Sequence, residues 1–287
     1  MTNEHIAPRP QLGVISDETG PSLDGCIAFA VEHGLNQIEI RMVDGTAPLS
    51  LTDVQAKDAN ARIRAAGLTV AGIATPLLKW EAPGKKAADQ GDQFGFSREG
   101  LSDDDLTMAC IHLANLFETQ NLRIFSYLTH ENFVLDDLKP AFDRLLEHAE
   151  QHDMVLRLEN EPVCNIASFA QLADIVELYD TPRLEALPDI GNSAQIDEFP
   201  DAALIQRVMP YTHHIHFKDY SKAAGKFVAL GTGEVKLDAY MAEIAVGANG
   251  RQLSFSLETH THDDPMGGTR VSAGQLIATT NTHFVNA

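Results

Sequence analysis

The sequence has little cysteine and few basic residues. Its 287 residues include 3 cysteines, Cys26, Cys110 and Cys164, which are odd in number and far apart, so neither a disulfide framework nor a cysteine-based zinc site is expected. Lys and Arg number 21 against 41 Asp and Glu, which gives a formal net charge of −20. Because so acidic a surface repels phosphate groups, we expect neither a nucleic acid nor an anionic membrane as a partner.

Long apolar runs and targeting signals are also missing. No apolar run approaches the roughly 20 residues that cross a bilayer, and the first residues lack the basic and apolar segments of a signal peptide. We therefore expect a cytoplasmic protein. The turn after the first predicted strand, SDETGPS, has no GxGxxG pattern, which disfavours a dinucleotide-binding fold.

The chain does contain short apolar runs typical of strands, alternating with longer segments typical of helices. The eight runs are residues 12–16, 37–42, 69–74, 122–128, 154–159, 184–189, 213–219 and 253–258. One strand and one helix in about 36 residues is the repeat of a (β/α)8 TIM barrel. The predicted fold is therefore α/β, a single TIM-barrel domain over residues 1–287, with a doubly wound open sheet as the alternative.

Polar side chains occupy every second position of several predicted strands. They are Glu39 and Arg41 in the second strand, Arg157 and Glu159 in the fifth, His214, His216 and Lys218 in the seventh, and Ser254, Ser256 and Glu258 in the eighth. An antiparallel sheet with one wet face would alternate in the same way. In a closed parallel barrel, however, the apolar set faces the helices and the polar set faces the interior. We expect Glu39 and Arg157 to form an ion pair there, and His214 to be a hydrogen-bonded core residue.

Four side chains of the types that bind metals lie at or near the ends of four consecutive strands: Glu159 in LRLENEP, Asp189 in LPDIGN, His216 in HIHFKD and Glu258 in SLETH. Barrel enzymes place their sites at this edge, and buried charges are costly unless they are paired or bound to a metal. Three carboxylates and one imidazole form a mostly oxygen site. The predicted cofactor is one divalent ion, with Mn²⁺ favoured and Mg²⁺, Co²⁺ or Zn²⁺ as alternatives.

Three further residues are predicted to contact a substrate. Lys218 shares the strand parity of His216 and lies nearer the barrel mouth, where it binds a substrate oxygen or, alternatively, forms a rim salt bridge to Asp219. Trp80 lies in the long segment of about residues 77–98, a candidate lid, and either contacts a sugar ring or packs the segment onto the barrel. His260, in ETHTHDD, is placed to close over the substrate.

The segments ENEP, DIGN, HIHFKD, LGTGEV and SLETH resemble the signature segments of the xylose isomerase-like TIM barrel superfamily, a group of sugar phosphate isomerases and epimerases. The resemblance implies that Glu159, Asp189, His216 and Glu258 bind one divalent metal. It also implies that Glu159 and Glu258 act as acid and base on opposite faces of the substrate. Asn192 and Glu161 fall where relatives carry histidine, which indicates different substrate contacts; the resemblance is also compatible with a homo-oligomer.

The predicted function is that of a metal-dependent isomerase or epimerase of a small sugar or polyhydroxy carbonyl compound, acting through an enediolate. The alternative is a dehydratase or lyase that removes the same proton from a keto-sugar, an inosose or a 3-keto-glycoside. A DNA-repair barrel would require more histidine ligands and a basic groove. A non-catalytic sugar-binding protein would be expected to have lost a ligand, whereas all four are present.

Overall fold

The computed structural model describes residues 7–88, 96–98 and 100–284. The strands are β1 (Gln11–Ile15), β2 (Gln37–Ile40), β3 (Thr69–Ile73), β4 (Asn121–Ile124), β5 (Val155–Glu159), β6 (Leu184–Leu187), β7 (His214–Phe217), β8 (Asp219–Ser221), β9 (Lys226–Val228) and β10 (Ser254–Leu257). Strands β8 and β9 form a separate antiparallel hairpin. The other eight are parallel and follow the order β6-β5-β4-β3-β2-β1-β10-β7.

The sheet closes into a barrel between its two end strands, β6 and β7. Isolated parallel bridges join Ala186 to Thr212 and Asp189 to His216 across this gap. The predicted (β/α)8 TIM barrel is therefore confirmed. The hairpin was not predicted, because the seventh apolar run was taken to continue to Asp219, whereas β7 ends at Phe217.

Helices follow the barrel strands and cover their outer face. They are α1 (Leu23–Glu32), α2 (Asp53–Ala65), α3 (Asp103–Leu116), α4 (Lys139–His152), α5 (Phe169–Tyr179), α6 (Ile190–Gln195), α7 (Ala202–Val208), α8 (Leu237–Ala248) and α9 (Pro265–His283), with short 3₁₀ turns at Pro48–Ser50, Leu135–Leu138 and Met209–Tyr211. Serine and threonine side chains at several N-termini accept a hydrogen bond from a backbone N–H in the first turn, as at Ser22, Thr52 and Ser168. These caps fix where each helix leaves its loop.

Because polar and apolar residues alternate along the strands, the two sets lie on opposite faces of the barrel sheet. Leu156, Leu158 and Phe217 are almost fully buried in the apolar core. Glu39 of β2, in contrast, contacts His214 of β7, which lies three strands away in the sheet. Such a contact can pass only through the barrel interior, so the predicted inward direction of the polar set is confirmed for these strands.

Two expectations about the chain as a whole stay predictions. The single-domain assignment covers residues 1–6, 89–95, 99 and 285–287, which lie outside the described residues. The candidate lid at residues 77–98 includes residues 89–95 and is thus only partly described. Among the helices that the structure describes, none combines the length and the apolar character required to cross a membrane.

Candidate metal centre and active site

The four predicted metal ligands lie together at the carboxyl-terminal end of the barrel. Glu159 is the last residue of β5, His216 lies in β7, Glu258 directly follows β10, and Asp189 caps the amino terminus of α6. One potential ligand atom from each residue lies within 4.8 Å of those from the other three. All four side chains are buried, with at most 2% exposure. We call these four residues the ligand cluster.

Two carboxylate oxygens in the ligand cluster lack a hydrogen bond. Glu159 Oε2 and Asp189 Oδ2 are buried and accept none from the described part of the chain. Arg123 Nη1 lies 3.2 Å from the first oxygen and Lys218 Nζ lies 3.1 Å from the second, at ion-pair distance without hydrogen-bond geometry. Because buried oxygens of this kind are costly, they are suited to coordinate a cation.

The charge balance of the cluster also fits a cation. Burial raises the pKa of Asp189 to about 8; Lys218 opposes the rise, whereas the negative charges of Glu258 and Glu159 add to it. A divalent ion beside Asp189 would oppose the effect of burial and favour the ionised carboxylate that binds a metal.

Glu39 lies directly beneath the ligand cluster and contacts both histidines of β7. Its Oε2 lies 2.9 Å from His216 Nε2 and 3.0 Å from His214 Nε2. Although burial favours the neutral acid, His216 and His214 hold the pKa of Glu39 well below its usual value. A carboxylate that accepts from Nε2–H of His216 leaves Nδ1 facing Glu159 and Glu258, at 3.4 and 3.1 Å.

The lower part of the interior differs from one expectation. The predicted ion pair between Glu39 and Arg157 is wrong, because Arg157 Nε donates to Glu185 Oε2 at 3.1 Å. Arg157 and Glu185 are register partners on adjacent strands, whereas Glu39 reaches across the barrel. The expectation for His214 is confirmed, since it is buried and its Nδ1 lies 2.9 Å from Ser254 Oγ.

Two predicted substrate contacts, Lys218 and Asn192, lie against the ligand cluster. Lys218 Nζ lies 3.1 Å from both Asp189 Oδ2 and Glu258 Oε2, so the alternative of a rim salt bridge to Asp219 is wrong. The Asn192 side-chain amide is 3.3 Å from Glu159 Oε1. Both side chains can therefore reach a molecule bound at the cluster.

Of the other predicted substrate contacts, His260 touches the ligand cluster, whereas Glu161 lies one residue further from it. His260 Nε2 is 3.4 Å from Glu258 Oε1, which places the ring at the cluster's edge. Glu161 forms an ion pair of 3.1 Å with Lys79 and also acts electrostatically on Lys218.

The Trp80 side chain contacts the start of α3 and Arg98. Its indole N–H donates to Asp103 at the start of α3, at 3.1 Å, and the guanidinium of Arg98 lies 4.8 Å from the ring centroid. The described contacts of this indole do not join it to the ligand cluster, and they agree with the alternative of packing.

Sequence reasoning gave no role to two arginines that contact the cluster. Arg41 Nη1 lies 2.8 Å from Glu258 Oε1, and Arg123 Nη1 lies between Glu159 and Glu258, at 3.2 and 3.3 Å. Arg41 also pairs with the buried Glu18, at 2.5 Å. The alternation of polar residues was the available signal: Arg41 follows Glu39 by two positions, and Arg123 is flanked by two apolar strand residues.

Two glycines of the signature segments allow close approaches. Asp219 Oδ2 accepts from the N–H groups of Gly231 and Gly233, at 3.0 and 2.9 Å, so the LGTGEV segment wraps around this carboxylate. A Cβ at Gly233 would lie 2.4 Å from Asp219 Oδ1. A Cβ at Gly191 would lie 2.2 Å from Lys218 Cγ. Glycine at these two positions therefore allows the DIGN and LGTGEV segments to pack closely against Lys218 and Asp219.

Comparison with known proteins shows the same architecture elsewhere. IolI with a bound zinc atom has a TM-score of 0.75 at 15% identity, covering 96% of this chain and 99% of that one. The probable 3-DHS dehydratase AsbF from Bacillus anthracis has a TM-score of 0.66 at 19% identity, covering 91% and 98%. The 3-keto-D-glucoside 4-epimerase YcjR from E. coli has a TM-score of 0.67 at 14% identity, covering 95% and 99%. At such identities these likenesses establish the fold.

A family match covers most of the chain. No curated protein is similar enough in sequence to count as a match. Residues 27–278, however, match the family described as xylose isomerase-like TIM barrel. The predicted resemblance is thereby confirmed, and the chain belongs to the xylose isomerase-like TIM barrel family.

Proposed function

We propose that this protein is a divalent-metal-dependent isomerase or epimerase of a small sugar or other polyhydroxy carbonyl compound, acting through an enediolate. The observation that carries the proposal is the ligand cluster, in which three carboxylates and an imidazole meet in a buried position with two oxygens lacking hydrogen bonds. Glu159, Asp189, His216 and Glu258 would hold one ion. Mn²⁺ suits this mostly oxygen donor set, with Mg²⁺, Co²⁺ and Zn²⁺ as alternatives.

Glu159 and Glu258 are the proposed acid and base. When bound, a divalent ion supplies Lewis-acid stabilisation of the negative charge that develops beside the substrate carbonyl. Although burial and Glu258 oppose it, Arg123 and His216 hold the pKa of Glu159 below its usual value. Although burial opposes it, Lys218, His216 and His260 hold the pKa of Glu258 well below its usual value. Both groups are thus ionised and able to accept a proton from carbon.

The two carboxylates arise from opposite parts of the barrel circumference. Strands β5 and β10 are separated by four other strands in one direction of the sheet and by β6 and β7 in the other. A substrate held between Glu159 and Glu258 can lose a proton to the ionised carboxylate of one. The other, once it has taken up a proton from solvent, can donate that proton to the opposite face of the same carbon, which inverts the carbon centre; exchange with solvent then restores both carboxylates. Return of the proton to the neighbouring carbon gives an isomer instead.

Four polar side chains are proposed to bind substrate oxygens. Lys218 and Asn192 contact the ligand cluster directly, His260 lies at its edge, and Glu161 acts on Lys218 from the loop after β5. Lys218 keeps its positive charge in this setting, since neighbouring carboxylates outweigh burial and raise its pKa. It is therefore suited to stabilise a negatively charged oxygen. The proposed contact with Trp80 has no such support.

A dehydratase or lyase is the second candidate. It begins with the same proton abstraction and ends with departure of a β-hydroxyl or another leaving group. The observation that favours it is the structural likeness to a probable dehydratase as well as to an epimerase. The ligand cluster serves either outcome equally.

The test is deuterium incorporation from D₂O, detected by mass spectrometry. Ketoses, ketose phosphates, inososes and 3-keto-glycosides are incubated with the protein after chelation and again after Mn²⁺ is restored. Exchange that is lost and regained with the metal is expected. Products that keep the substrate's mass apart from deuterium identify an isomerase or epimerase, and loss of water identifies the dehydratase. Absence of exchange from every compound at full metal occupancy would contradict the proposal.

A further inference from the structure

A cavity lies beside the ligand cluster, between the β8–β9 hairpin and the segment that follows β10. Its volume is about 640 Å³, which lies within the range of about 300–1,000 Å³ for small-molecule sites. The hairpin contributes Tyr220, Lys226 and Phe227 to its wall, and the segment after β10 contributes His260 and His262. We call this space the outer cavity.

We propose that the outer cavity is a second substrate subsite, which binds an uncharged, ring-sized polyhydroxy group attached to the reacting sugar. The inference rests on the proposed function and deepens it. It assigns a two-ring glycoside, or a compound of similar size, as the substrate class.

The outer cavity shares a wall with the proposed reaction centre. Lys218 Nζ lies 5.0 Å from the centroid of the Phe227 ring and 3.1 Å from Glu258 Oε2. His260 Nε2 lies 3.4 Å from Glu258 Oε1, and its ring centroid is 5.4 Å from that of Phe227. Phe227 and His260 therefore contact the reaction centre and also line the cavity. A substrate whose carbonyl lies at the cluster would extend its next group into this space.

Aromatic side chains form much of the shared wall. Phe227 packs edge-to-face against Tyr220, with centroids 5.4 Å apart and planes at 74°, and against His260 at 75°. His260 in turn stacks on His262, with centroids 5.7 Å apart and planes at 17°. Aromatic surfaces with polar atoms beside them are typical of sites that bind small polar organic molecules.

Charged side chains of the lining already have partners within it. Lys226 forms an ion pair with Asp263. Asp264 accepts a hydrogen bond from the backbone N–H of Gly267 at 3.0 Å, as the cap of α9. Charges that already have partners within the wall favour an uncharged ligand over a phosphate or carboxylate.

The matched control for Phe227 is Phe199. Each phenylalanine has a lysine ammonium over its ring, at 5.0 Å for Lys218 and 5.4 Å for Lys222. Phe199, however, lines a different cavity beside α7 and α8. A second variant, Val271→Trp, adds bulk to the outer cavity at a helix position that is 47% exposed, so it is expected to fold.

Binding to the Mg²⁺-loaded protein is measured by saturation-transfer NMR with glucose and with the disaccharides maltose, cellobiose and trehalose. We expect at least one disaccharide to bind about tenfold more tightly than glucose. Phe227→Ala and Val271→Trp should each lower the affinity for that disaccharide, and the loss should be about tenfold larger than the loss of affinity for glucose. Phe199→Ala should leave both affinities unchanged. Equal affinity for one and two rings, or affinity that neither cavity variant changes, would overturn the subsite.

The same variants separate failure of the subsite from failure of the chemistry. Deuterium exchange is measured with one-ring ketoses and with keto-disaccharides. Disaccharide binding without exchange from any compound would overturn the enediolate chemistry and leave the subsite standing. Exchange from both classes without a preference for two rings, unaffected by Phe227→Ala, would overturn the subsite and leave the chemistry standing.

Discussion

Two polar layers lie inside the same barrel, and they differ in whether their charged side chains have hydrogen-bond partners. In the lower layer Arg157 pairs with Glu185 at 3.1 Å, and His214 lies between Ser254 and Glu39, at 2.9 and 3.0 Å. In the upper layer, the ligand cluster, two carboxylate oxygens accept no hydrogen bond from the described residues. The side chains named in the lower layer have polar partners in one another, whereas the upper layer has two oxygens that are suited to bind a cation. Burial alone therefore does not distinguish a structural polar layer from a functional one.

The largest expected difference between the layers concerns turnover. Glu159→Gln and Glu258→Gln each remove a proposed proton acceptor and should lower kcat by about a thousandfold while the fold is retained. Glu185→Gln is the lower-layer control and should keep turnover, with some loss of stability because Arg157 loses its charged partner. Steady-state kinetics and circular dichroism measure both quantities. Wild-type turnover in either upper-layer variant would show that the acid–base assignment is wrong.

The two histidines of β7 allow the same comparison for metal binding. His216→Ala removes a proposed ligand and should lower metal occupancy and affinity by more than about a hundredfold. His214→Ala removes a lower-layer side chain and should have a smaller effect. Elemental analysis after dialysis gives the occupancy. Unchanged stoichiometry in His216→Ala would contradict its place among the ligands.

Glu39 lies between the layers and sharpens the comparison. Glu39→Gln should weaken metal affinity by about 10- to 100-fold, because the carboxylate that orients His216 through Nε2 is lost. Competition with a chromogenic chelator measures this affinity without using turnover. Glu185→Gln again serves as the control. Equal affinities in the two variants would mean that Glu39 supports the fold but not the metal.

The smallest expected effect is a pH dependence of the stability of the metal-free protein. The pKa of Asp189 is raised from 3.8 to about 8, so the folded state retains a proton that the unfolded state has released. Stability should therefore fall as the pH rises from 6.5 to 8, above the range in which His214, whose pKa burial lowers to about 4, acts in the opposite direction. Although burial opposes it, Glu39, Glu258 and Glu159 raise the pKa of His216 well above its usual value, so His216 adds to the fall in the same window.

Thermal unfolding checks this expectation. A decrease in Tm of a few degrees is expected over that window in the chelated protein. Asp189→Asn should reduce the slope, and saturating Mg²⁺ should flatten the profile. The same slope in the chelated wild type and in Asp189→Asn would assign the pH dependence to other groups.

Much of the site was predictable because strand alternation is a local property of the sequence. His216 and Glu258 could be placed at one end of the barrel from their own strands alone. The partner of Glu39 could not be predicted, because a contact across the interior depends on strand order and register. In the structure Glu39 lies against His216, whereas Arg157 pairs with its register partner on the adjacent strand.

The hairpin was not predictable for a related reason. Each of its strands has three residues, too few for a periodic signal. Asp219, at its first position, is held by backbone N–H groups of residues 231–235, which are distant along the chain. The outer cavity, which this hairpin lines, is therefore a consequence of tertiary packing.

We propose above that Glu159, Asp189, His216 and Glu258 coordinate one divalent ion. Crystals soaked in Mn²⁺ and measured at the manganese absorption edge test it most directly. We expect one strong anomalous peak with oxygen and nitrogen atoms of all four side chains at about 2.0–2.4 Å. A peak elsewhere, or full density for these four side chains with no peak between them, would contradict it.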